Sequence, residues 1–182
     1  MLKSTRKVAA GLLTTAVSGL ALALPATPAS AAASALDTLT CTSTSTTTYD
    51  PPITTTAATS TRSITQTYGP CVGTGGAAGI TGGTHTSSNT TQRSCLQLLS
   101  TATVSWTINW SNGQSSTVTA QRVSNLAGAV FTNTFTGTVT GGYLAGRSFI
   151  ETMTSPSVQI TACTLLGGSV SSLGAVHTFT LL

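Results

Sequence analysis

Between 131 and 140 the chain sets threonine at every even position, Thr132, Thr134, Thr136, Thr138 and Thr140, while Phe131, Phe135 and Val139 occupy odd ones. Successive side chains of a strand point to opposite faces, so this alternation describes a strand with one apolar and one hydroxyl-rich face. The same period recurs in Val104, Trp106, Ile108 and Trp110. A helix would need apolar spacings of three and four. Threonine, β-branched and stiff at χ1, also suits a pleated surface better than a helix. A chain built from such segments has to bury the apolar faces of strands against one another.

Glycine, proline and asparagine divide the rest of the chain into further candidate strands. The pattern predicts strands over 39–49 and 60–68, separated by Asp50-Pro51-Pro52, a turn with restricted φ and no proline donors. Residues 73–83 read as glycine-rich loop with an edge strand beginning at Ile80. Further strands are expected over 84–99, carrying Cys95, and over 129–140, 147–154, 158–163 and 173–182. The 103–123 segment reads as a hairpin turning at Asn112-Gly113. Parity sets its register: a two-residue loop pairs Trp106 with Thr119 and scatters the apolar residues over both faces. A three-residue loop, Ser111-Asn112-Gly113, pairs Trp106 with Val118 and Val104 with Ala120, with Gly113 left-handed where a Cβ would clash. With no helical periodicity, the prediction is an antiparallel β-sandwich or small β-barrel of about eight or nine strands.

The N-terminus has the order of an export signal. Lys3, Arg6 and Lys7 precede a mostly apolar run over 8–24, and small alanine and serine residues follow Pro25 and Pro28. A cleaved signal over 1–33 and a single domain over 34–182 are expected. The formal charge of +4 then falls, because Arg62, Arg93, Arg122 and Arg147 stand against Asp37, Asp50 and Glu151, a surplus of one. That distribution gives no basic patch for nucleic acid. No second apolar span follows, so no membrane association is expected after signal removal.

Four cysteines, Cys41, Cys71, Cys95 and Cys163, in an exported chain predict two disulfides. Zinc would need paired Cys-x-x-Cys ligands, which are missing, and only His85 and His177 could supplement the thiols. No metal or other cofactor is expected. Three connectivities are open. A first hairpin turning near Thr56 would set Cys41 opposite Cys71 and leave Cys95 for Cys163.

Tyr68-Gly69-Pro70-Cys71, Ser94-Cys95-Leu96, Trp110-Ser111-Asn112-Gly113-Gln114, Thr136-Gly137-Thr138-Val139-Thr140 and Ala162-Cys163 before a Gly-Gly turn make the chain resemble small secreted Thr/Ser/Gly-rich, four-cysteine all-β proteins of high-GC Gram-positive bacteria. The resemblance implies location and fold class. It carries no activity and no functional residue.

General acid–base chemistry needs convergent tunable groups, and the domain offers Asp37, Asp50, Glu151, His85 and His177 with no Gly-x-Ser-x-Gly elbow. The expectation is a protein that is not an enzyme. His177 reads as a hydrogen-bonded strand residue, His85 as an exposed one, and Glu151 with Arg147 as a solvated surface pair. Outward threonine ladders and long, weakly charged edges suggest a structural or matrix-interaction role outside the cell or in its envelope. The alternative is a secreted binding module for a cell-wall polymer, a carbohydrate or another extracellular protein. Its candidate ligand-binding residues are Trp110 and Tyr143, rings beside turns, with Asn112 and Gln114 as amide partners.

Overall fold

A computed structural model describes residues 37–182; the expected signal segment 1–33 lies outside the described residues. Eight strands follow in chain order: β1 (Leu39–Ile53), β2 (Ala58–Gly73), β3 (Gly83–Arg93), β4 (Ala102–Trp110), β5 (Ser115–Ala127), β6 (Val130–Gly142), β7 (Ser148–Pro156) and β8 (Val170–Leu181). Each pairs antiparallel with the next, and β8 returns to β1 from Leu39 opposite Leu181 to Thr48 opposite Ser172. The sheet therefore closes into a barrel and not a sandwich. Closure satisfies the backbone groups that long edge strands would leave free.

The parity argument for the 103–123 hairpin holds. Trp106 lies opposite Val118 and Val104 opposite Ala120, with Gly113 at φ 80° and its N–H donating to Trp110 O at 3.0 Å. In β6, Phe131, Asn133, Phe135, Gly137 and Val139 share the inward face. A Cβ on Gly137 would lie 2.0 Å from Thr119 O, so only glycine allows β5 and β6 to approach so closely there. In β1, Thr42, Thr44, Thr46 and Thr48 are exposed while Ser43, Ser45 and Thr47 turn inward. The threonine tract is thus an ordinary wall strand with a polar inner face.

Several boundaries differ from the sequence reading. Asp50-Pro51-Pro52 does not turn the chain; β1 runs on to Ile53 and the turn comes at 54–57. The prolines fall where the β1–β8 register breaks, so no ladder hydrogen bond is asked of them. The glycine-rich stretch holds a short 3₁₀ turn, Gly75–Gly79, and β3 starts at Gly83, not Ile80. β3 ends at Arg93, because Cys95 opens a second 3₁₀ turn and its N–H donates to Thr54 O at 2.8 Å. The expected strand over 158–163 is a helix, α1 (Val158–Leu166). Its buried residues, Ile160 and Cys163, are three apart, and left-handed Gly167 ends it, with the Gly168 N–H donating to Ala162 O at 3.0 Å.

The interior has two halves. Towards the end that carries the β4–β5 turn, Leu39, Tyr68, Ile108, Trp110, Val118, Phe149, Phe179 and Leu181 fill the bore. Tyr68 meets Phe179 edge to face at 5.8 Å and Trp106 meets Phe149 at 5.7 Å. Such contacts add about 0.5–1.5 kcal/mol each beyond area burial. Cys41–Cys71 bridges β1 and β2 in this half. At the other end a smaller cluster of Tyr49, Ile53, Cys95, Cys163 and Val170 closes the bore, and Cys95–Cys163 ties the second 3₁₀ turn to α1.

The wall is incomplete in one place. β2 and β3 pair from Ala58 opposite Arg93 to Tyr68 opposite Gly83, but β3 and β4 pair only at Gly83 opposite Trp110 and Thr84 opposite Asn109. Beyond that fork residues 86–92 of β3 are exposed on both faces.

Candidate functional site

Between the packed half and the closing cluster lies a cavity of about 150 Å³. A cavity of that size holds roughly a benzene-sized group. Inward positions of the barrel strands line it, and residues on both banks of the fork, His85 and Ser87 on β3 and Val104 and Trp106 on β4, border it. The fork therefore borders the cavity. Trp106, Phe131, Phe135 and Met153 supply apolar wall, while Ser45, Arg62, Gln66, Arg122, Glu151 and His177 supply polar groups.

A hydrogen-bonded chain crosses the floor. Glu151 on β7 and His177 on β8 sit on inward faces, two residues from Phe149 and Phe179 of the packed half, and are 1% and 8% exposed. His177 Nδ1 lies 2.7 Å from Glu151 Oε1, and its Nε2 lies 2.8 Å from Ser45 Oγ on β1. Gln66 Nε2 reaches Glu151 Oε1 at 2.6 Å and Ser43 Oγ at 3.0 Å, with His177 Nδ1 farther away at 3.4 Å. An amide nitrogen carries two hydrogens, and the two shorter contacts use both. One proton therefore lies between Nδ1 and Oε1, since two bare acceptors would not approach to 2.7 Å. In the neutral ring that carries it on Nδ1, Nε2 is an acceptor for the Ser45 hydroxyl. Tyr68 donates its hydroxyl to Glu151 Oε2 at 3.4 Å and accepts from Trp106 Nε1–H at 3.2 Å. Burial, reinforced by the Glu151 charge, pushes the Tyr68 phenol well above its ordinary value, so it remains a donor.

Three cations stand around Tyr49 near the cavity's closed end. Arg62 and Arg122 line the cavity, and the charges of Arg62, Arg93 and Arg122 all act on the Tyr49 phenol. Burial and then the charge of Arg62 hold the Arg93 and Arg122 guanidiniums below the usual arginine value. Arg122 donates to Gln97 O and Ser100 O at 3.0 and 2.8 Å, and Arg93 to Asn89 Oδ1 at 2.6 Å. The Nε atoms of all three are nonetheless buried without a partner. No carboxylate neutralises the cluster among the described residues. Asp37 pairs with Arg147 at 2.7 Å, Glu151 is engaged by His177, and Asp50 is exposed. Burial pushes the Tyr49 phenol above its ordinary value against the pull of the arginines, so it too stays protonated.

The residues singled out from sequence lie elsewhere. Trp110 is 5% exposed, and its Nε1–H donates to Ser116 Oγ at 2.8 Å. Tyr143 packs on the same core with its hydroxyl donating to Gly76 O. Asn112 Oδ1 accepts the Gln114 backbone N–H at 3.1 Å within the β4–β5 turn. These four are brought together at the packed end, and none lines the cavity. Glu151 is not a surface residue paired with Arg147, because parity turns it inward and Arg147 instead meets Asp37. His85 is likewise buried, its Nδ1–H donating to Thr107 O at 2.9 Å across the fork.

Sequence reasoning missed Ser45, Arg62, Gln66, Arg122, Glu151 and His177 as a group. The signal was available in parity: Glu151 and His177 each stand two residues from an inward phenylalanine, where an ionisable side chain needs a partner. Among the described residues no group of three His, Cys, Asp or Glu side chains could hold a metal. Comparison with protein-family models, curated proteins and solved structures finds no match, so the chemistry of this cavity rests on its own geometry.

Proposed function

We propose that the protein is a secreted binding module whose barrel takes up one small organic anion through the fork between β3 and β4. The observation that carries this reading is the arginine cluster. Three guanidiniums that repel one another, with buried Nε–H groups unpartnered, are costly unless an anion joins them. Arg62 and Arg122, which line the cavity, with the Tyr49 hydroxyl would hold the anionic group. Trp106, Phe131 and Phe135 would flank its apolar body. Eight-stranded barrels have a bore suited to a single small ligand, and a cavity of about 150 Å³ admits one ring and not a polymer. Two disulfides suit an extracellular setting. Barrel closure pairs the β1 and β8 edges and leaves free strand edges only along the fork, which weakens the argument for a matrix role, and binding is preferred here.

Titration of the intrinsic fluorescence of Trp106 and Trp110 with benzoate, and with benzyl alcohol as its uncharged counterpart, tests the reading. Benzoate should bind saturably and more weakly at high salt, with benzyl alcohol at least about tenfold weaker, as the loss of a charge-assisted hydrogen bond implies. Arg62→Gln should remove most of that difference. Equal affinity for the two probes, or an Arg62→Gln protein that binds benzoate as the wild type does, would overturn it.

A further inference from the structure

We propose that Ser45 is a nucleophile and that the protein hydrolyses small esters bearing an anionic group, an inference that rests on the cavity being a ligand site. The geometry is that of an activated hydroxyl. Ser45 Oγ stands 2.8 Å from His177 Nε2, and His177 Nδ1 stands 2.7 Å from Glu151 Oε1. Nucleophile, base and orienting carboxylate are thus in series at hydrogen-bonding distance. They come from three strands, β1, β8 and β7, neighbours only because the barrel closes between β8 and β1. Ser45 also faces the cavity, whereas Ser43, two residues earlier, is buried and accepts from Gln66.

Each group has a defined part in the reaction. Ser45 Oγ attacks the ester carbonyl carbon as its proton passes to His177 Nε2. The carbonyl π pair moves onto oxygen. Arg62 and Arg122, which line the same cavity, hold the anionic group of the ester. The pair then returns, the bond from carbon to the alcohol oxygen breaks, and His177 gives its proton to the departing alcohol. Water attacks the acyl-serine, losing a proton to Nε2. Collapse of that second intermediate breaks the bond to Ser45 Oγ, which regains the proton, and the carboxylic acid leaves. Glu151 is a positioning residue: it keeps the imidazole in the tautomer with Nε2 unprotonated. Gln66, Ser43 and Tyr68 hold it in place.

The test uses purified protein with three probes: mono-p-nitrophenyl succinate, neutral p-nitrophenyl acetate and phenylmethanesulfonyl fluoride. The succinate hemi-ester should be turned over faster than the acetate. Sulfonylation, followed by intact mass and peptide mapping, should fall on Ser45 among the many serines. Ser45→Ala, a small change at a half-buried site whose fold is checked by circular dichroism, should lose turnover by about 10³-fold or more. Glu151→Gln should lower kcat while KM holds. A Ser45→Ala protein that turns over the hemi-ester at the wild-type rate would overturn the proposal. So would a wild-type protein that binds benzoate yet leaves Ser45 unmodified, and that result spares the binding reading. A wild-type protein that binds no benzoate removes the reading on which both rest.

Discussion

The two ends of this barrel use the same strands to opposite effect. On β1 the inward series begins Leu39, Cys41 and continues Ser43, Ser45, Thr47; on β8 it runs back from Leu181 and Phe179 to His177 and Ala175. On both strands the inner face is apolar in the packed half and turns polar over the cavity. The first half of the bore is filled by rings, whereas the second keeps a cavity lined by arginine, serine, histidine and glutamate. A packed half can hold the geometry of a half that is not packed. Buried ionisable groups are affordable where neighbouring side chains supply the cohesion.

The largest test of that contrast is truncation of matched residues. Phe179→Ala in the packed half should cost about 3–5 kcal/mol, the usual range for emptying a filled aromatic site. Met153→Ala, which borders the existing cavity, should cost less than about 2 kcal/mol, because fewer contacts are lost. Denaturant melts of the two variants decide the point, and equal losses would break the distinction between the halves.

The disulfides sharpen it. Removing either as a Cys→Ser pair should cost about 2–5 kcal/mol. Cys95–Cys163 spans a separation of 68 residues and Cys41–Cys71 one of 30, a loop-entropy difference of only about 0.7 kcal/mol. Their functional effects should diverge more than their melts. Loss of Cys95–Cys163 loosens the cavity's closing cluster and should speed benzoate release in stopped-flow, whereas loss of Cys41–Cys71 should leave release unchanged.

The smallest effect is set at the fork. Burial holds the His85 imidazole below its ordinary value and the Arg62 charge adds to this, while the Thr107 hydrogen bond and the Glu151 charge oppose. The folded state therefore resists a proton that the unfolded chain accepts. The contribution of His85 is full above the ordinary histidine value of 6.5 and declines as pH falls below it. Melts at stepped pH should show this decline in the wild type and a shallower one in His85→Gln. Identical slopes would remove His85 from the account.

Much of this fold is legible residue by residue. Alternation assigned the inward faces of β4 and β6, and parity chose the three-residue turn at Ser111-Asn112-Gly113, because a one-residue slip would expose a whole apolar face. Setting Cys41 opposite Cys71 follows from the same local pairing. The helix α1 was hidden because Val158, Ile160 and Thr161 have strand propensities, and the choice was made by Ile160 and Cys163 facing inward together.

The site was hidden for a different reason. Parity states that Glu151 and His177 face inward, but it does not state what they face. Ser45 and His177 are 132 positions apart in the chain and meet only because β8 pairs with β1. Arg62, Arg93 and Arg122 read as scattered surface charges until the barrel wraps them around Tyr49. The amino-acid sequence by itself determined strand identity, facing and local register, since each depends on neighbours along the chain or across one turn. Closure, the fork between β3 and β4, and the assembly of the cavity were decided by tertiary structure, because they depend on which strands meet after the sheet has curved through a full circle.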